Sequence, residues 1–91
     1  MNKKYPNKNF RIFLKKYIKS QTLFADEYGY NRRNMRRWLF YENLFPRPPA
    51  IALLVEQISE FYRVPLVQVV MDCHVACRED MKLFELQQEN A

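Results

Sequence analysis

Residues 21–40, QTLFADEYGYNRRNMRRWLF, hold the only glycine of the chain and its densest cluster of arginines. Phe24, Ala25 and Tyr28 stand at i, i+1 and i+4, one face of a short helix, and Ser20 supplies an N-cap oxygen. Gly29 ends that helix, because a chain leaving this sharply needs a positive φ just past the last turn and glycine reaches it without steric cost. Tyr30 follows, and Asn31 caps the next segment. From Arg32 the pattern is helical again, with Met35, Trp38 and Leu39 on an apolar face and Arg32, Arg33, Asn34, Arg36 and Arg37 on the other. The spacing predicts two short helices joined by a tight turn, the second turning four arginines outward.

The rest of the chain supports a helical body around this pair. At 91 residues it makes one small domain, and 48% hydrophobic with 15% aromatic residues is ample for a packed core. Strand-like alternation is absent, so the expected fold is all-α. Upstream, Phe10, Phe13, Leu14, Tyr17 and Ile18 fall at i, i+3, i+4, i+7 and i+8, an amphipathic helix over about 10–19 whose polar face carries Arg11, Lys15, Lys16 and Lys19. Downstream, three prolines in ENLFPRPPA mark a loop. A helix then starts near Pro49, with Ile51, Leu54, Val55, Ile58 and Phe61 as the main wall of the core. Pro65 opens a fifth helix through the apolar Leu66, Val67, Val69 and Val70. A sixth helix is expected over the last twenty residues, with Met81, Phe84 and Gln88 on one face, Leu83 and Leu86 on a second stripe, and Asp80 among the polar residues between. The expected organisation is a basic arm at 1–8, a main domain at 9–71 and a helical extension at 72–91 that caps the core or dimerises.

Charge is divided unevenly. Residues 1–48 hold 12 Lys and Arg against 3 Asp and Glu, a net +9, whereas 49–91 hold 3 against 7, a net −4. Positive charge therefore collects with the arginine helix, a distribution that suits nucleic acid. No apolar run approaches the roughly 18–20 residues that cross a bilayer, and the basic N-terminal segment lacks a signal-peptide core and cleavage site. No membrane contact and a cytoplasmic location are expected.

Cys73, His74 and Cys77 form a CHxxC pattern. A structural zinc site normally takes four ligands from two pairs, and the chain offers only two cysteines and one histidine, so reduced thiols packed near the core are the stronger reading. No metal or cofactor is expected. Nor is an enzyme: His74 has no well-placed nucleophile, no paired carboxylates share an evident cleft, and one glycine cannot build a phosphate loop.

Gln21, Ala25, Gly29, Tyr30, Asn31, Met35 and Trp38 resemble the Q…A…G-V-S…I…W spacing of the Xre, Cro and lambda-repressor family of helix-turn-helix regulators. The resemblance runs from about Phe10 to Val70, where FYRVPLVQV is similar to the family's fifth helix. Three positions depart: Leu39 stands for a glutamate, Tyr41 for the glycine that ends the recognition helix, and Arg63 for the glycine before the last helix. The resemblance implies a compact five- or six-helix lambda-repressor-like bundle that binds double-stranded DNA. It implies a homodimer on a pseudo-palindromic operator, acting as a transcriptional repressor. Arginine pairs bidentately with guanine and asparagine with adenine in the major groove, making Arg32, Arg33, Arg37 and Asn34 candidates for base edges. Arg36 and Asn31 are candidates for phosphate, as is Gln21 at the N-terminus of its helix. The family's loop contacts carry over to Tyr41, Asn43 and Arg47. Asp26 and Glu27, which would repel DNA, are expected on the face turned away. The alternative is the same fold used to bind a protein partner, as in an antitoxin, through the apolar fifth helix and the acidic tail.

Overall fold

All five residues of the first amphipathic repeat, Phe10, Phe13, Leu14, Tyr17 and Ile18, are buried, and they anchor the helix around which the others assemble. The computed structural model describes residues 6–42 and 46–89, in which five helices and no strand occur. They are α1 (Lys8–Tyr17), α2 (Gln21–Tyr28), α3 (Arg32–Phe40), α4 (Pro48–Tyr62) and α5 (Leu66–Glu89). α1 packs on both α3 and α5, α4 closes against α5, and α2 packs on α3. The core draws on every helix, with Phe10, Leu14, Phe24, Met35, Leu54, Ile58 and Val69 fully enclosed. Among the described residues no helix is long and apolar enough to cross a membrane.

The fifth and sixth helices expected from the sequence are one. Residues 66–89 contain no glycine or proline, and the buried positions Val69, Cys73, Ala76 and Asp80 continue one stripe without a break. Nothing stops the helix where a boundary was expected. Along its last turns Leu83 and Phe84 are half-buried, but Met81 and Leu86 are exposed, so the stripes read there are not core faces.

Asp80, expected in a polar position, is 3% exposed. Its carboxylate accepts from the backbone N–H of Asn9 at 2.8 Å and of Phe10 at 2.9 Å, and from Asn9 Nδ2 at 3.2 Å. These are first-turn amides of α1, which have no partner within their own helix. A carboxylate beside a helix N-terminus also gains from the backbone dipole. Asn7, at the local cap position of α1, makes no capping bond with its side chain. Instead its Nδ2 donates to the carbonyl of Tyr41 at 3.0 Å, joining the start of α1 to the end of α3, while its Oδ1 accepts from Arg11 Nε at 3.1 Å.

The α1–α5 contact is reinforced at its other end. Asp72 accepts a hydrogen bond from the Tyr17 hydroxyl and another from Lys16 Nζ at 3.0 Å. These bonds hold the Asp72 carboxyl below its ordinary value and raise the Lys16 ammonium above its own.

Candidate nucleic-acid interface

The α2–α3 pair is built from local signals. Ser20 Oγ accepts from the N–H of Leu23 at 3.4 Å and Asn31 Oδ1 from that of Arg33 at 2.8 Å, so each helix starts on the cap written immediately before it. Gly29 sits at φ 70°, and the N–H of Tyr30 reaches back to the carbonyl of Ala25 at 2.8 Å to close α2. α4 ends in the same way, with Arg63 at φ 53° in place of a glycine and the N–H of Val64 bonded to the carbonyl of Ser59 at 3.1 Å.

Two tyrosines then fasten the turn to α4. The Tyr30 hydroxyl donates to Gln57 Oε1 at 2.5 Å and the Tyr28 hydroxyl to the Gln57 carbonyl at 3.2 Å. Burial pushes both phenols above their ordinary pKa, keeping them as donors. Tyr30 also stacks on Phe24, with ring centroids 6.0 Å apart, and meets the Trp38 ring edge-on at 5.8 Å. Sequence spacing placed Tyr28 on the apolar face of α2 but carried no sign of Gln57. Its role depends on where α4 passes. Trp38 is half-buried, while Met35 and Leu39 lie deeper, so its indole backs the turn at the edge of the core.

With Met35 and Leu39 buried, the opposite face of α3 is left to solvent. Arg32, Arg33, Arg36 and Arg37 line one open concavity of about 540 Å³ together with Tyr41. Among the described residues, Arg33, Arg36 and Arg37 form no ion pair, so three guanidinium groups stand without an internal counter-charge. Asn34 is exposed on the same helix. A second, smaller concavity of about 230 Å³ brings Gln21 and Thr22, at the N-terminus of α2, against Arg32, Met35 and Arg36. Seven of the candidate residues, Gln21, Asn31, Arg32, Arg33, Arg36, Arg37 and Tyr41, thus lie on or beside these two hollows and the cap between them. Arg47 is exposed at the cap of α4, and Asn43 and Phe45 lie outside the described residues, as do residues 1–5 of the basic arm. Lys8 of that arm is the first residue of α1.

Asp26 is not turned away from the arginines. Both of its carboxylate oxygens lie against Arg32 Nη2, at 3.0 and 3.2 Å. The turn is short enough to fold the start of α3 back beside the last turn of α2, which brings the two side chains together. Both are largely exposed, so the pair adds little to stability. Its effect is positional, because Arg32 is partly neutralised where its three neighbours are not.

The basic surface continues onto α1. Lys15 Nζ lies 4.7 Å from the centroid of the Phe40 ring, at the C-terminal end of α3. Helix-facing aromatics hold such ammonium groups by cation–π attraction without consuming their charge. Arg11 is kept half-buried one turn earlier by Asn7.

The cysteines play no part in this surface. Cys73 is buried and Cys77 half-buried, both free thiols. A hydrogen bond to Cys77, together with burial, raises the Cys73 thiol, and the same bond lowers that of Cys77. His74 points to solvent, and among the described residues no group of three or more His, Cys, Asp or Glu is arranged to hold a metal. Searches of known families, characterised proteins and solved structures give no match to this chain.

Proposed function

We propose that the chain is a double-stranded DNA-binding transcriptional regulator of the helix-turn-helix type, resembling the lambda-repressor family and acting as a repressor. The observation that carries the reading is the exposed α3 face, on which four arginines converge while Met35 and Leu39 fix the helix from behind. An exposed basic helix held by a shorter helix at a tight turn matches what a major groove accepts. The N-terminus of α2, with Gln21 beside Arg36, offers amides and a polar side chain to a phosphate. Arg33 and Arg37 are the leading base readers. Arg32 reaches a base only from within its pair with Asp26, and Arg36, Tyr41 and Lys15 follow the backbone.

One such helix reads a few base pairs. Two copies related by a two-fold axis, with recognition helices about 34–36 Å apart, read a site long enough to stand out in a genome. The regulator therefore acts as a homodimer on a pseudo-palindromic operator.

The test is selection of bound duplexes from a random library at about 150 mM salt, where weak phosphate binding is suppressed. The expected result is an inverted repeat with half-sites one helical turn apart. Failure to enrich any sequence overturns the assignment. Within the selected site, Arg33→Ala costs about 1–3 kcal/mol of discrimination at one position, whereas Lys15→Ala weakens all sequences alike and flattens the salt dependence. Equal loss on every sequence removes Arg33 from the base-reading set.

A further inference from the structure

Two charges of the α2–α3 pair stand where their own helices disfavour them. Asp26 lies in the last turn of α2, the end at which the backbone dipole favours cations, and Arg32 is the first residue of α3, the end that favours anions. α2 has no basic residue in its last turn and α3 no acidic one in its first. The tight turn at Gly29 sets the two ends side by side, so the misplaced charges, six positions apart, meet each other. The Asp26 and Arg32 side chains are 55 and 64% exposed, and an ion pair that open to water adds little to stability. A local preference broken at both helix ends with so small a stabilising return points to function.

The contact leaves Arg32 one free edge. Both carboxylate oxygens lie against Nη2, at 3.0 and 3.2 Å, so the N–H groups of Nη1 and Nε are left for other acceptors. Arg32 also lines both hollows of the arginine face, beside Arg33, Arg36 and Arg37 in the larger and beside Gln21 in the smaller. The held guanidinium is therefore part of the candidate surface at the place where its two hollows adjoin.

We propose that Asp26 is a positioning residue for Arg32, fixing its guanidinium for one guanine and steering it away from phosphate. The proposal rests on the DNA-binding reading and adds to it a residue that touches no DNA. A free arginine on this face gains from any phosphate within reach, and that attraction carries no sequence information. An arginine whose charge is already balanced gains less, and the adjacent carboxylate repels the backbone. Its remaining N–H groups still fit the O6 and N7 acceptors of guanine. Holding the long side chain before binding also lowers the ordering cost of that one contact relative to others. Asp26 thus lowers affinity and raises selectivity, through a repulsive element as well as an attractive one. Affinity comes from Arg33, Arg36 and Arg37, which form no ion pair among the described residues.

The test is a double-substitution cycle of Asp26→Ala, Arg32→Ala and the two together. Each chain is titrated by fluorescence anisotropy against the duplex that the parent selects, its single-base variants and an unrelated duplex, at about 150 mM salt. Both positions are exposed, so melting temperatures stay near that of the parent. Arg32→Ala is expected to lose about 10-fold discrimination or more at one G·C pair. Asp26→Ala loses most of that same discrimination, while its affinity for the unrelated duplex rises by about 5-fold, the gain of one further phosphate contact at this salt. In the Arg32→Ala background, Asp26→Ala brings no further loss at that base pair. A uniform gain on every duplex with discrimination kept overturns the proposal and leaves Asp26 a bystander charge. An Arg32→Ala chain that discriminates as the parent does overturns it as well. A parent that selects no duplex fails earlier, in the DNA-binding reading itself, and takes the proposal with it.

Discussion

α2 is capped by Ser20, the residue directly before it, whereas α1 is capped by Asp80, reached from 71 residues away along the chain from Asn9. Both ends meet the same requirement, that first-turn N–H groups find acceptors. The local solution is a long bond of 3.4 Å at an exposed site, and the distant one comprises two backbone bonds of 2.8 and 2.9 Å, the second buried and the first partly so. A largely buried carboxylate that satisfies two amides matters more than an exposed hydroxyl, because water replaces the hydroxyl readily when it is lost and replaces the carboxylate less well. The ends of the α2–α3 pair are thus capped by local signals, whereas the start of α1 is tied by a remote one.

The sharpest test of this difference is removal of the remote cap. Asp80→Ala is expected to cost about 3 kcal/mol in urea unfolding, because it leaves buried first-turn amides without acceptors. A loss under about 1 kcal/mol would mean that water enters the site and the two caps are equivalent. The next largest effects lie at the two left-handed positions. Nothing lies within 4 Å of a Cβ placed on Gly29, so Gly29→Ala is penalised by conformation alone, about 1 kcal/mol. Arg63 already bears that strain at φ 53°, and Arg63→Gly is expected to raise stability by up to about 1 kcal/mol. If both substitutions destabilise equally, Arg63 makes a compensating contact and the parallel between the two helix ends fails. Ser20→Ala should cost only about 0.5 kcal/mol in the same assay.

The smallest expected effect belongs to the other remote tie. Asp72 titrates below its usual 3.8 because of the bonds from Tyr17 and Lys16. It therefore adds stability above that pH and loses it as pH falls through the depressed folded value. Asp72→Asn should lower stability slightly at neutral pH and reduce the loss between about pH 4 and pH 2. An unchanged acid profile would show that solvent screens the pair fully.

The boundaries of α2, the left-handed Gly29, the Asn31 cap and the buried positions of α1 were all legible in the sequence. Each rests on residues within one or two turns of one another. Asp80, Asn7 and Gln57 were not, since an aspartate in a run of charges looks like a solvated residue until another helix N-terminus is packed against it. The division of the last 26 residues into two helices failed for a related reason. A helix needs no internal break merely because its apolar face becomes sparse, and Cys73, Ala76 and Asp80 carry the buried stripe through the sparse part. In the candidate interface, the arginine cluster followed from spacing alone. The Asp26–Arg32 pair did not, because it depends on how far the turn folds back.

The Asp80 contact also sets an order of events during synthesis. α1 emerges from the ribosome before α5, so its leading amides bond only to water until residue 80 has been made and has cleared the exit tunnel. The α2–α3 pair meets no such delay, since its caps and its turn are written within it. A nascent chain therefore exposes its arginine helix before the helix behind it is anchored.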